Sequence, residues 1–447
     1  MKAISRVFWG ALALLIVLWT AFNLQIFQAR GFFALRSDMV QLTGILAVAA
    51  MSFAMVLALR PRWPEARFGG LDKMYRLHKW FGIAALVLAV VHWLWAKGPK
   101  WAVGYGLLSR PERGPRPEIT NPLEQLLSSQ RGTAEGLGEW AFYAAVLLIV
   151  LALVPRFPYR QFYKTHKLIA IAYLVLVFHS VVLVQFSHWT TPIGIVVALL
   201  LIPGTYAALV ALTGRIGAGR QVHGTICLLR RYPGVRALES EIAMEPGWPG
   251  HKTGQFAFAT SDAHEGAHPY TIASAWDPAD PRITFVTKAL GDHTSLLADK
   301  LSIGQRVKVE GPYGCFTFDD DRPRQIWVGG GIGITPFISR MKYLARAETD
   351  RRGQVVDLFH TTADVDEDAL ARLAEDAKAA DVRLHILVDA RHGRLSGARI
   401  REAVPDWREA SIWFCGPTGF GKALRTDLAA HGFDVEARFH QELFSMR

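Results

Sequence analysis

LDKMYRLHKWFGIAALVLAVVHWLW (71–95) and YKTHKLIAIAYLVLVFHSVVLVQ (163–185) decide how this chain folds. As helices, both are long enough to cross a bilayer core about 30 Å thick. Each carries two histidines, His78 and His92 in the first and His166 and His179 in the second. Ionisable side chains are costly at that depth and mark function. With a rise of about 1.5 Å per residue, the two histidines of each stretch stand roughly 20 Å apart. Two such helices side by side offer two facing histidine pairs, one near each membrane surface. Two neutral imidazoles on opposite faces of an iron porphyrin make a six-coordinate b-type haem. The pattern therefore predicts two haems stacked across the membrane.

The angular spacing suits one helix better than the other. His78 and His92 are fourteen residues apart, about 40° short of four turns, and share a face. His166 and His179 are thirteen apart, about 140° short, so a tightened turn, a bend or a tilt is expected there. Two plainer readings stay open on the residues alone. The four histidines are polar groups facing the bundle interior, or one pair binds haem and the other is structural.

At 447 residues the chain exceeds one domain. Its hydrophobic residues, 51% of the total, gather into six long runs before about residue 212. The other four runs are 7–27, 38–59, 138–154 and 189–212. No small-residue cleavage site follows 7–27, so it reads as a retained helix rather than a signal peptide. The segment 97–137 is hydrophilic, contains Pro111, Pro115, Pro117 and Pro122, and reads as a surface loop with one short helix. A distortion is expected in the sixth helix near Pro203-Gly204. The formal charge of +11 fits Lys- and Arg-rich loops at lipid headgroups. No basic patch interleaved with aromatics points to nucleic acid. The basic loops 60–79 and 155–167 read as cytoplasmic, which places His78 and His166 on the inner side and His92 and His179 on the outer. Cys227, Cys315 and Cys415 form no CxxC and no disulfide framework, as suits a reducing compartment.

From about 215 the pattern changes to short strands between Gly and Pro turns: 220–231, 255–260, 281–289 and 305–314. They predict a small antiparallel β-barrel. From 324, strands at 324–330, 354–360, 382–389, 410–416 and 433–439 alternate with helical stretches 334–348, 366–380 and 417–431. That alternation predicts a parallel sheet with helices on both faces. The expected domains are 1–214, 215–323 and 324–447.

Four motifs carry chemistry in the C-terminal part. In His268-Pro269-Tyr270-Thr271-Ile272-Ala273-Ser274 an aromatic and a hydroxyl on one strand can stack on a flat ring and hydrogen-bond to it. Val286-Thr287-Lys288 precedes the turn Gly291-Asp292-His293-Thr294, where a cation and backbone N–H groups suit a pyrophosphate. Gly329-Gly330-Gly331-Ile332-Gly333-Ile334-Thr335-Pro336 joins a strand to a helix, and a helix N-terminus favours phosphate. Cys415-Gly416-Pro417 ends a later strand.

Together with the paired histidines, these motifs resemble the NADPH oxidase and ferric reductase superfamily, in a bacterial form, over nearly the whole chain. The resemblance implies a six-helix all-α transmembrane bundle, an antiparallel β-barrel FAD domain and an α/β parallel-sheet domain for NAD(P)H. It implies that His78, His92, His166 and His179 are the ligands of two b-type haems. His268, Pro269, Tyr270, Thr271, Ser274, Lys288, Gly291 and Thr294 would hold FAD. Gly329, Gly330, Gly331, Gly333, Thr335, Pro336, Gly416 and Pro417 would hold the nicotinamide nucleotide, with Cys415 beside the nicotinamide. The family closes with an aromatic over the flavin. Phe444 is the candidate, Glu442 the nearby acid, and Met446 the alternative register. NADPH-specific members often carry an Arg after the second strand of the sheet. This chain has His360-Thr361-Thr362-Ala363-Asp364 there, with Arg391 and Arg394 as possible substitutes after the third strand. The implied activity is transfer of electrons from cytosolic NAD(P)H through FAD and the haems to an acceptor outside. That acceptor is ferric iron, dioxygen (giving superoxide) or, alternatively, an extracytoplasmic partner protein docked on 97–137. The implied location is the inner membrane, with lipid as the surrounding partner.

Overall fold

Backbone polar groups in hydrocarbon must be satisfied within the segment itself, so apolar runs of this length fold as helices. The computed structural model describes residues 2–28, 31–109, 118–262, 265–346 and 353–442. It contains two units, one built from 1–68 and 73–216, the other from 217–446 with 69–72. Six helices of the first unit are long and apolar enough to cross a membrane. They are α1 (Lys2–Ala21), α2 (Phe32–Ala58), α4 (Leu71–Gly104), α6 (Arg131–Leu153), α7 (Tyr159–Leu183) and α8 (Pro192–Leu212). Short helices α3 (Glu65–Phe68) and α5 (Pro122–Ser129) lie between them.

The apolar window of α2 is 67% buried, that of α4 only 11%. α2 is therefore the central helix, with α8 packed along it, while α7 packs on α6 and α8. Outward faces carry Trp9, Val17, Leu147, Leu199 and Ile202, all exposed. Such faces suit lipid.

One connection and one helix differ from the sequence expectation. The 97–137 loop is shorter than expected, because α4 continues to Gly104 through Pro99 and α6 begins at Arg131. Proline has no N–H to donate to the carbonyl four residues back, and in α4 that carbonyl belongs to Trp95. Arg36 of α2 replaces the missing donor. Its Nε donates to Trp95 O at 3.2 Å and its Nη2 to Ala96 O at 3.0 Å. Within the remaining connection, Asn121 caps α5 by accepting from Leu123 N and Glu124 N, with Pro122 in the first turn. α8 runs unbroken through Pro203. Residues 110–117, with Pro111, Pro115 and Pro117, lie outside the described residues.

The second unit holds two sheets. β1 (Gln221–Tyr232), β2 (Ala237–Met244), β3 (Phe256–Thr260), β4 (His268–Thr271), β5 (Arg282–Lys288) and β6 (Arg306–Tyr313) pair antiparallel in the order β4-β3-β6-β1-β2-β5. An Ile272–Phe285 bridge joins the two ends. Ile226, Ile242, Ile283, Phe285, Val307 and Val309 fill the interior. Helix α9 (Asp292–Lys300) lies between β5 and β6 in sequence.

The parallel sheet has the order β11-β10-β7-β8-β9. Its strands are β7 (Arg324–Gly330), β8 (Val355–Thr362), β9 (Arg383–Val388), β10 (Ser411–Cys415) and β11 (Phe439–Gln441). All seven residues of β7 are buried, as a strand covered on both faces requires. Its side chains alternate: Trp327 joins the core under α10 (Thr335–Leu344) and α11 (Glu367–Ala379), while Ile326 and Val328 face the core of α13 (Gly397–Ala403) and α14 (Thr418–Ala430). α12 (Asp389–His392) is a single turn after β9. The expected strand 433–439 is corrected. Asp434 caps a helical turn, α15 (Val435–Arg438), by accepting from Glu436 N and Ala437 N, and the strand starts only at Phe439.

Candidate functional site

α4 presents His78 and His92, and α7 presents His166 and His179. The structure brings them together as two pairs. The His78 and His166 ring centroids are 5.9 Å apart with planes at 66°, and those of His92 and His179 are 6.2 Å apart at 87°. α7 is α-helical throughout, so of the expected tightened turn, bend or tilt the tightened turn is absent.

Hydrogen bonds fix the rings. His78 Nδ1 lies 2.8 Å from Ala54 O, His92 Nδ1 3.0 Å from Val40 O, and His179 Nδ1 2.8 Å from Ala134 O. A carbonyl only accepts, so each Nδ1 is the protonated nitrogen and each Nε2 keeps its lone pair. His166 differs: its Nδ1 has no partner among the described residues, and its ring stacks on Phe162 at 4.9 Å. Two metal–imidazole bonds of about 2 Å, plus two ring radii of about 1 Å, span about 6 Å. Both pairs match that span, so the donor set fits an iron porphyrin held between Nε2 atoms.

His92 and His179 border a cavity of about 500 Å³. Two glycines make room there. A Cβ on Gly44 would come within 3.1 Å of the His92 ring, and one on Gly138 would overlap the His179 ring. Arg36, Lys97, Lys100, Arg131, Glu135 and Glu139 also line the cavity. Lys97 pairs with Glu139 at 2.7 Å and Arg131 with Glu135 at 3.1 Å. Sequence reading missed Gly44, Gly138, Phe162 and Arg36. The available signal was a glycine inside an apolar helix, a costly choice unless something approaches closely.

In the second unit, β4 lies at the sheet edge, where Pro269 costs no ladder hydrogen bond. Thr271 is buried opposite Phe256, and Tyr270 packs on Phe285 at 5.7 Å. His268 stacks on His293 at 4.0 Å and 7°, which joins the first two motifs. Burial, with His293 beside it, lowers the His268 pKa to about 4. Ser274 Oγ accepts from Thr284 N at 3.0 Å, and its carbonyl accepts from Ser339 Oγ at 2.7 Å. Thr294 Oγ1 accepts from Leu290 N and Gly291 N at 3.0 and 3.1 Å, closing the turn before α9. Both hydroxyls thus build the scaffold of the motifs. Lys288 donates to Asp364 at 2.7 Å and lines one cavity with Gly331 and Ile332 of the third motif.

Gly329 and Gly330 end β7, and Thr335-Pro336 open α10. Only Gly331 in this turn has positive φ, +56°, with open space around it. A Cβ on Gly333 would strike the Cys415 carbonyl, and one on Gly330 would meet Pro417 Cδ at 3.0 Å. Those glycines allow the turn to rest on Cys415-Gly416-Pro417. Cys415 is fully buried, which pushes its thiol pKa up, and the nearby Glu442 adds to the rise. Glu442 itself is buried. Cys415 ends β10, and Glu442 directly follows β11, the neighbouring strand. Phe444 and Met446 lie outside the described residues.

Residues 43–177 match the family described as ferric reductase like transmembrane component. An NADPH oxidoreductase of Mycobacterium tuberculosis is 29% identical over 251 residues, 53% of this chain and 63% of that protein. A glycine betaine monooxygenase reductase subunit of Chromohalobacter salexigens is 30% identical over 191 residues, 39% of this chain and 50% of that protein. Respiratory burst oxidase homolog protein E of Arabidopsis thaliana is 29% identical over 228 residues, 43% of this chain and 22% of that protein. The chain thus spans between about a fifth and two-thirds of the length of these relatives. A flavohemoglobin structure from Malassezia yamatoensis aligns over 92% of this chain and 98% of its own, at 16% identity and a TM-score of 0.48.

Proposed function

We propose that this chain, a ferric reductase-like transmembrane domain joined to a ferredoxin-reductase-type FAD and nucleotide-binding domain, carries electrons across a membrane from NAD(P)H to an acceptor on the far side, through FAD and two bis-histidine b haems. The observation that carries the reading is the two histidine pairs, each about 6 Å across, with three of the four rings tied back through Nδ1. When bound, FAD exchanges a hydride for single electrons and the haems carry them one at a time through the bilayer.

The residues divide the work. His78 and His166 hold the inner haem, and His92 and His179 the outer. Thr271 and Tyr270 orient the flavin ring, while the turn before α9 receives its pyrophosphate. The Gly331 turn admits the nicotinamide nucleotide, and Cys415 and Glu442 border its reacting end. The buried thiol stays protonated at neutral pH, so Cys415 serves by shape and not as a nucleophile. The basic loops 60–79 and 155–167 favour a cytoplasmic C-terminal unit in the inner membrane. Because His92 and His179 would both be committed to holding a haem, ferric iron or dioxygen would meet the protein at the mouth of the cavity they border.

The test is purified protein in detergent. The expected result is low-spin b haem at two per FAD. NAD(P)H oxidation should require an acceptor, with oxygen, chelated Fe(III) and no acceptor compared. A protein that binds FAD but no haem would sink the reading.

A further inference from the structure

We infer that Ser339 in α10 and Arg346 just beyond it are positioning residues, which hold the flavin segment in register with the glycine turn so that the flavin and nicotinamide rings meet. This rests on the FAD and nicotinamide readings given above. Neither residue belongs to a motif read from the sequence.

The need arises where β4 ends. Beyond Thr271 the chain leaves the ladder: Ile272 makes one bridge to Phe285, and 274–276 belong to no strand. A carbonyl without a partner away from water is costly. Side chains supply the donors that a ladder would. Ser339 Oγ donates to Ser274 O at 2.7 Å. The guanidinium of Arg346 serves the next two carbonyls, Nη2 donating to Ala275 O at 3.2 Å and Nη1 to Trp276 O at 2.7 Å. A planar fork can reach two neighbouring acceptors at once, which a single ammonium does not match. His251 Nε2, from the connection between β2 and β3, also donates to Ser274 O at 3.1 Å. Ser274 Oγ accepts from Thr284 N of β5. The segment that closes the flavin motif is thus tied to the barrel on one side and to α10 on the other.

The helix carries that grip to the glycine turn. Its first residue, Thr335, donates from Oγ1 to Ile332 O at 2.7 Å, inside the turn. Ten residues of α-helix span about 15 Å. Phe337 and Met341, both fully buried, and Leu344 seat the helix on the parallel sheet. Ser339 is fully buried as well, so its bond to Ser274 is shielded from water. Turn, helix and segment 274–276 therefore form one connected strut between the two motifs. The reaction it serves moves a hydride from NAD(P)H, which leaves as NAD(P)+, to FAD, which becomes FADH−. Such a step is steep in geometry: a misplacement of about 1 Å costs about a hundredfold. A strut fixed at both ends by hydrogen bonds sets that geometry without contributing to the binding of either cofactor.

The experiment uses the full chain in detergent, loaded with FAD. Anaerobic stopped-flow follows flavin reduction across a range of NADH and NADPH, which separates the limiting rate from nucleotide affinity. Charge-transfer absorbance on mixing the reduced flavin with NAD+ or NADP+ reports ring stacking without turnover. Arg346→Ala should lower the limiting rate by about tenfold to a hundredfold and weaken the charge-transfer band, with FAD content and nucleotide affinity little changed. Ser339→Ala should act in the same direction and less, because Ser274 O keeps His251 as a donor. Arg346→Lys should fall between Arg346→Ala and the unsubstituted chain. A lower thermal midpoint with the limiting rate and the band unchanged would make both residues purely structural and overturn the inference. So would an effect that consists wholly of lost FAD or weaker nucleotide binding. Failure of the unsubstituted chain to bind FAD, or of both nucleotides to reduce it, would overturn the readings beneath the inference, and the inference with them.

Discussion

The histidine pairs of the membrane unit and the histidine pair of the flavin barrel have the same chemistry and opposite geometry. In the membrane the rings stand about 6 Å apart, at 66° and 87°. In the barrel His268 and His293 lie at 4.0 Å with planes 7° apart. Glu265 stands within ligand distance of the barrel pair, yet parallel rings send their lone pairs side by side and not toward a common point. The membrane pairs differ because a carbonyl on α2 or α6 holds Nδ1 on three of the four rings, which turns Nε2 inward. Co-location of histidines is therefore weak information. The partner of the second nitrogen tells a ligand from a stacked ring.

The largest expected effect breaks a membrane pair outright. His92→Ala or His179→Ala should halve the haem content by pyridine haemochrome assay, and His78→Ala should remove the other half. Full occupancy after any one of these would refute the assignment. Next comes Gly138→Ala, which leaves every histidine present but puts a methyl where the His179 ring lies. Overpacking of this kind costs about 1–3 kcal/mol, so thermal unfolding in detergent should drop and the outer haem should be lost first. Gly44→Ala should be milder, because its closest approach to His92 is 3.1 Å. A Gly138→Ala protein with unchanged haem spectra would mean the ring is free to move.

The barrel pair should instead answer to acid. Burial lowers His268 to about 4, and His293 is lowered as well. Below about 6.5 the unfolded chain takes up protons that the folded unit refuses, so stability falls as pH drops from 6.5 toward 4. The slope is at most about 1.4 kcal/mol per pH unit per histidine. His251 and His360, both also near 4 through burial, steepen it. Near-UV circular dichroism on heating at pH 7, 6 and 5 measures this, and His268→Gln should flatten the curve. A pH-independent midpoint would contradict the buried neutral pair. The smallest effect is expected at Phe162→Ala, which removes the stacking partner of His166 for about 0.5–1.5 kcal/mol. The inner haem should remain but exchange faster with added apomyoglobin, while the outer haem should not.

The six helices and the two facing histidine pairs were legible because both rest on local patterns, an apolar run of fixed length and a spacing counted in residues. The parallel sheet with helices on both faces followed from alternation of strand and helix around the 329–336 turn, whereas its strand order did not. What escaped was set by partners distant in sequence. Nothing near Gly138 announces that His179, forty-one residues on, needs its space. Lys288 reads as a phosphate ligand by its motif, and only the fold brings Asp364 to it. The strand expected at 433–439 failed because β-like composition there was overruled by the capping oxygen of Asp434.

Pro99 and Arg36 form a coupled pair of positions, since one creates the vacancy that the other fills. Each substitution alone has a different consequence. Arg36→Ala strands the Trp95 carbonyl, while Pro99→Ala restores the helix's own donor and frees a guanidinium beside the cavity that His92 and His179 border. In the double variant the penalty of losing Arg36 should largely vanish, so the two effects are not additive. Losing the proline first should therefore cost little and free the arginine to vary, whereas losing the arginine first should leave the Trp95 carbonyl without its donor.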